Sequence, residues 1–119
     1  MMKKTDKKID NALREALTQV CESALASIDG FVWLTHLVNY NDFPRSLNIV
    51  CVFETDEQLS TAYDKKETDQ LCRLIESKLR DIDIKLKQAM KQISFDTEEA
   101  CERFHGGKWN ECLQKFNLH

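Results

Sequence analysis

The chain has 119 residues with 42% hydrophobic and 31% charged content, which suits one core in a domain of common size. Its formal net charge of −3 weighs against nucleic acid as the main partner, because free-standing nucleic-acid binders concentrate basic charge. With no apolar leader pattern and no run of about 18 apolar residues, neither export by a signal peptide nor membrane spanning is expected, and the expected location is cytoplasmic. Three glycines, one proline and no repeat predict a single domain over residues 1–119, with residues 1–5 a flexible tail.

From about Thr5 to Ser27, apolar residues at Ile9, Leu13, Ala16, Leu17, Val20, Cys21, Ala24, Leu25 and Ile28 recur in steps that make one helical stripe. Thr5 or Asp6 can cap its start, and Gly30 stands just past its end. Lys3, Lys4, Lys7 and Lys8 read as a solvated chain end.

Phe31 to Thr55 is the longest apolar run and holds the only proline. Val32, Trp33, Thr35, Val38 and Tyr40, then Ile49, Val50, Val52 and Phe53, are residues that suit a pleated, half-buried surface, so two strands are predicted. The six residues from Asn41 to Ser46 are too few for a parallel crossover, which makes the pair an antiparallel hairpin. In the second strand Leu47, Ile49, Cys51 and Phe53 share one side and Asn48, Val50, Val52 and Glu54 the other. Both sides are largely apolar, so this strand should be central and covered on both faces. In the first strand Trp33, Leu37 and Asn39 lie on the Thr35 side, with Leu34, Val38 and Tyr40 on the His36 side.

Asp56-Glu57 can start a short turn reaching Tyr63, and a clear helical period runs from about Lys66 to Asp81 through Leu71, Leu74, Ile75 and Leu79. Ile82, Ile84 and Leu86 alternate with polar residues and predict a strand, while Leu86, Ala89, Met90 and Ile93 also fit a helix. Residues 86–91 are therefore left open among strand, loop and helix, and Gln92 to Phe95 are read as strand. Asp96-Thr97-Glu98-Glu99 has a capping-box pattern with Asp96 as the cap, and Gly106-Gly107 ends the helix that follows. Trp109, Cys112, Leu113 and Phe116 form a last short helix. The predicted order is helix, strand, strand, helix, strand, helix, helix: an α+β fold with a small, mainly antiparallel sheet centred on Leu47 to Glu54 and packed by the first two long helices.

The five cysteines are odd in number, lack a CxxC pair and mostly fall on apolar faces, which predicts reduced core thiols rather than disulfides. Glycine-rich phosphate loops are absent, and none of His36, His105 and His119 has an evident nucleophile partner in sequence. Cys101 and His105 one helical turn apart, with Cys112 beyond, offer three zinc ligands, against the alternative that the thiols pack in the core. His36, Glu54 and Asp56 can form a polar cluster at a strand end, with Asp96 a further acid; this is either acid–base machinery or a satisfied polar pair. Trp33, Tyr40 and Phe43 around Pro44 offer an exposed contact patch if they are not core.

Two resemblances add to this. The string Ser46-Leu47-Asn48-Ile49-Val50-Cys51-Val52 after a helix resembles a degenerate nucleotidyltransferase strand, with apolar residues and an asparagine where that family carries paired metal-binding carboxylates. Trp33-Leu34-Thr35-His36, Asn39-Tyr40, Phe43-Pro44-Arg45-Ser46-Leu47, Val50-Cys51-Val52-Phe53 and Phe95-Asp96-Thr97-Glu98-Glu99-Ala100-Cys101 resemble a family of small uncharacterised bacterial proteins sometimes labelled Fis-type transcriptional regulators. A Fis-type regulator is all-helical and ends in a basic helix-turn-helix, whereas the C-terminus here carries no basic recognition helix. The resemblance therefore implies no catalytic residue.

The function expected from the residues is a non-enzymatic cytosolic binding or regulatory module with a protein or small-molecule partner and no cofactor. A divergent nucleotidyltransferase-like or acid–base enzyme would use His36, Glu54, Asp56 and Asp96, and a DNA-binding regulator would use Lys3 to Lys8 with Arg14.

Overall fold

A computed structural model describes residues 4–116. Helix α1 spans Lys4–Ser27, strand β1 Phe31–Leu37 and strand β2 Asn48–Phe53, with a 3-10 turn at Tyr40–Asp42 between the strands. Helices α2 (Asp56–Asp64), α3 (Glu67–Arg80) and α4 (Ala89–Gln92) precede strand β3 (Ile93–Thr97). Helices α5 (Glu98–His105) and α6 (Trp109–Cys112) and a 3-10 turn at Leu113–Phe116 follow. The fold is α+β with a three-stranded sheet in the order β1-β2-β3.

β2 is the central strand, and all six of its residues are buried. On one side Ile49, Cys51 and Phe53 meet Leu13, Leu17 and Val20 of α1 and Leu71, Ile75 and Leu79 of α3 in a single core. On the other side Val50 and Val52 are fully buried, on the face where Asn48 meets the C-terminal segment. That segment is anchored on this face: Asn48 Nδ2 donates to the Phe116 carbonyl at 3.0 Å, and the Trp33 and Trp109 rings meet edge to face at 4.8 Å. Both indole N–H groups donate to the Glu98 carboxylate, which bridges the sheet to α5 and α6.

The hairpin is antiparallel as expected, with Phe31 opposite Phe53 and Leu37 opposite Asn48, and a bulge at Val32. β3 instead runs parallel to β2, so the sheet is mixed. The reason lies in the 39 residues between Phe53 and Ile93, which hold α2 and α3 and supply the long crossover that a parallel neighbour requires. Gly30, at φ +85°, makes the sharp entry into β1, and a Cβ there would come within 2.6 Å of the Gln58 side chain.

Several local expectations are corrected. Lys4 and Thr5 belong to α1, whereas residues 1–3 of the expected tail, and His119, lie outside the described residues. The turn expected after β2 is a full helix, because Thr55 and Gln58 satisfy each other's backbone amides in a capping box. Ile82 to Leu86 is not a strand: the Ile84 amide donates back to the Leu79 carbonyl at 2.8 Å and Asp83 turns left-handed at φ 63°, closing the end of α3. Gln92 ends α4 rather than starting β3; its buried side-chain amide donates to the carbonyls of Pro44 and Leu47, pinning the hairpin loop. Thr97, not Asp96, caps α5 by accepting from the Ala100 amide. Cys101 and Cys112 form a disulfide, because the Gly106-Gly107 turn folds α6 back and leaves their Cα atoms 5.8 Å apart. Cys21, Cys51 and Cys72 are free.

Truncating Phe53 removes a fully buried ring at the centre of the core, in edge contact with Phe31 at 5.9 Å. Phe53→Ala is expected to cost about 3–5 kcal/mol, read as a lowered urea midpoint with an unchanged slope.

Candidate functional site

Helix α1 lays the stripe Leu13, Leu17, Val20 and Ala24 on the sheet, and one turn before Leu13 the same face presents Asp10. Asp10 is 8% exposed, so its carboxylate must be satisfied within the protein. Oδ2 accepts from Arg14 Nε at 2.7 Å, and Oδ1 accepts from the Tyr40 hydroxyl. His36 Nε2 stands 3.5 Å from Oδ1, a looser contact. Sheet alternation puts His36 on the α1 side of β1, while the turn after β1 carries Tyr40 back over α1. That turn is built locally: Asn39 accepts from the Asn41 amide, and the buried Ser46 hydroxyl bonds both the amide and the carbonyl of Asn39. The Tyr40 ring then packs against Phe43 at 5.5 Å.

The electrostatics follow from this packing. Burial pushes the Asp10 carboxyl up, but the Tyr40, Arg14 and His36 contacts outweigh it and hold the group below the ordinary aspartate value. Burial also lowers His36, against the opposing pull of Asp10, so the imidazole is held more neutral than a free histidine. The Tyr40 phenol is driven upward by burial and by the carboxylate it donates to.

Beside this cluster lies an open cleft of about 420 Å³ lined by Arg14, Leu17, Thr18, Cys21, Glu22, Leu34, Thr35 and His36. Leu17 and Leu34 give it an apolar floor, and Arg14 and His36 stand at its polar end. Cys21 is a thiol on the same cleft, yet it sits two helical turns, about 10 Å of axis, from Arg14. No cysteine–histidine pair is formed there among the described residues.

The residues singled out in the sequence are distributed over four places. His36 joins the Asp10 cluster. Glu54 is exposed just past the far end of β2: with His36 opposite Ile49, the two are separated by about 16 Å of strand. Asp56 opens α2, where it accepts from the Thr97 hydroxyl and pairs with Arg103 at 2.8 Å; these two contacts hold its carboxyl low. Asp96 faces the C-terminal segment and pairs with Lys115 at 3.1 Å. The four expected acid–base residues therefore do not converge. Cys101 and Cys112 are joined to each other, and among the described residues no group of three or more His, Cys, Asp or Glu side chains is placed to hold a metal ion.

Of the four expected contact residues, Tyr40, Phe43 and Pro44 come together in the hairpin loop, with Phe43 and Pro44 lining a second cleft of about 490 Å³ beside Arg45, Lys87 and Gln92. Trp33 lies on the opposite face, against Trp109. Lys4, Lys7 and Lys8 are exposed along the start of α1. Sequence reasoning missed Asp10 and gave Arg14 only a DNA role. The available signal was an acidic residue at the position where the stripe 10, 13, 17, 20, 24 calls for an apolar one. No protein family, curated protein or solved structure matches this chain.

Stability should fall on acidification in two stages. Unfolded His36 takes up a proton below about pH 6.5 before the folded chain does, so its contribution is present above that pH and is lost below it. Asp10 has a lowered folded value, so its contribution is present above about pH 3.8 and is lost as pH falls through that folded value. Urea unfolding from pH 8 to 3 is expected to show both stages, with His36→Gln flattening the upper and Asp10→Asn the lower. At pH 7, Asp10→Asn should cost about 1–3 kcal/mol through the buried partners it leaves poorly matched.

Proposed function

We propose that this protein is a non-enzymatic binding or regulatory module that holds a small carboxylate-bearing molecule in the cleft between α1 and β1. The observation that supports this reading is the state of Arg14. Its Nε is held by the buried Asp10 at 2.7 Å, and its two terminal nitrogens make no hydrogen bond among the described residues. An arginine fixed in this way presents a planar fork to a carboxylate at little ordering cost. Leu17 and Leu34 supply apolar surface for the body of such a ligand, Glu22 on the same wall disfavours a second carboxylate, and the volume lies in the range of small-molecule sites, roughly 300–1,000 Å³.

The enzyme reading has less support, because His36 and Glu54 stand at opposite ends of the sheet and the acids on α2 and β3 are occupied in bridging contacts. A nucleotidyltransferase-like role has less still, since β2 presents Asn48, Ile49 and Val50 to two packed interiors and no carboxylate. DNA binding has less support because the chain carries a net charge of −3 and the exposed Lys4, Lys7 and Lys8 stand on one short stretch of α1. A cytosolic location belongs to the proposal, favoured by the three free cysteines and opposed by the Cys101–Cys112 disulfide; the coarser fact is that no described helix is long and apolar enough to cross a membrane.

Titration with a panel of aliphatic and aromatic monocarboxylates, followed by amide shifts in nuclear magnetic resonance, tests this reading. The expected outcome is perturbation centred on Thr18, Cys21, Leu34, Thr35 and His36, with at least tenfold weaker binding in Arg14→Gln. Perturbations centred on Phe43, Pro44 and Lys87 would move the site to the hairpin cleft, and none anywhere would overturn the small-molecule reading.

A further inference from the structure

The Cys101–Cys112 disulfide lies where the second face of the sheet is covered. Cys101 is the fourth residue of α5, and Cys112 ends α6. Beyond α6, the turn at Leu113–Phe116 supplies the Phe116 carbonyl to Asn48 and Lys115 to Asp96. The cover over Val50 and Val52 is thus held by a few polar contacts, the Trp33–Trp109 pair and one covalent bond. α6 has only four residues and offers little apolar surface of its own: Trp109 is half-buried, Asn110 and Glu111 are exposed, and Cys112 is the one buried position. Both sulfur-bearing residues are 2% exposed, yet Cys101 and Cys112 line a cleft of about 400 Å³ with Asp96, Ala100, Phe104, His105 and Lys115. This opening leads from solvent to the bond.

We propose that Cys101–Cys112 is a thiol–disulfide exchange site for a dithiol reductant, and that its reduction releases segment 109–116 from the sheet. In the exchange, one thiolate of the dithiol attacks a cysteine sulfur, the S–S bond breaks, and a mixed disulfide forms while the other cysteine leaves as a thiolate. The second thiol of the reductant resolves the mixed disulfide. The reductant departs as a cyclic disulfide, and Cys101 and Cys112 gain two electrons and two protons in total. Lys115 lines the same cleft but is paired there with Asp96 at 3.1 Å, so the exchange rests on access to the bond and not on a free cation. Release of the segment uncovers Val50, Val52 and Trp33, an apolar strip that the oxidised chain keeps closed.

Two properties keep the exchange at this site, and a third makes it visible. Cys51, buried at the centre of the sheet with its thiol pushed upward by burial, stays unreactive in the folded chain. Cys21 and Cys72 are partly exposed but lie on the α1 and α3 side, away from the cover. Trp33 and Trp109 share the Glu98 carboxylate, so their emission reports the cover directly.

The test treats the purified full chain with dithiothreitol under native conditions, with and without reoxidation. Alkylation and mass spectrometry count thiols at each cysteine, and brief trypsin digestion measures cleavage after Lys108 and Lys115, with fragments separated after full reduction. The expected result is two new thiols at Cys101 and Cys112, none at Cys51, and cleavage after Lys108 and Lys115 at least tenfold faster, reversed on reoxidation. Cys112→Ser is expected to cleave at the fast rate in either condition. Cys101 and Cys112 remaining closed to native reduction would overturn the exchange site. Reduction with cleavage changed less than twofold would overturn the release. Both outcomes are read on the wild-type chain, so neither depends on the variant folding.

Discussion

The fold depends on the burial of β2 on both faces at once. A strand with Ile49, Cys51 and Phe53 on one side and Val50 and Val52 on the other gains stability only if two separate layers are brought against it. Everything else in the chain serves that need. α1 and α3 fill one side with a broad aliphatic layer, while the other is closed by a short, polar C-terminal segment that could not hold its place by apolar contact alone. The two covers differ in kind, and so do the devices that fix them. The first rests on interlocking Leu, Ile and Val side chains, the second on Glu98 gripping two indoles, an Asn48 amide, the Asp96–Lys115 pair and a disulfide.

The same economy explains where the polar groups went. Asp56 and Thr97 join the starts of α2 and α5, and Glu99 accepts from the Asp56 amide while its own amide donates to the Glu54 carbonyl. Carboxylates that look available in the sequence are thereby occupied in holding helix ends against strand ends. Asp10 is a different case. It is buried within the α1 stripe, and three side chains from two distant parts of the chain converge on it. A buried charge is tolerable only when its hydrogen-bonding capacity is filled, so Asp10 draws the Tyr40 hydroxyl and the Arg14 Nε onto it.

The apolar covers and the buried acid also separate the two clefts with most functional interest. The α1 and β1 cleft opens on the aliphatic side of the sheet, and the cleft at Cys101 and Cys112 opens on the other. β2, buried on both faces, lies between them. The proposed binding at Arg14 and the proposed exchange at the disulfide therefore belong to opposite faces of the sheet.

Periodicity was enough to place α1, the hairpin, β2 as the central strand and α3, because each follows from short-range steric and solvation preferences that repeat along the chain. It placed the helix after β3 within a residue and erred on its cap, since Asp96 and Thr97 are equally suited to the role and only the path of β3 chose between them. The strand at Ile82 to Leu86 was misread because alternation alone cannot register that the Ile84 amide is claimed by Leu79. Three matters were decided by tertiary structure alone. The parallel pairing of β3 depends on where a long helical crossover returns. The disulfide depends on how the Gly106-Gly107 turn folds α6 back onto α5. The Asp10 cluster depends on residues 10, 36 and 40 meeting across a helix, a strand and a turn. Local sequence encodes which face of an element is apolar, but convergence of single polar groups from separate elements is fixed only when the packed core has set their distances.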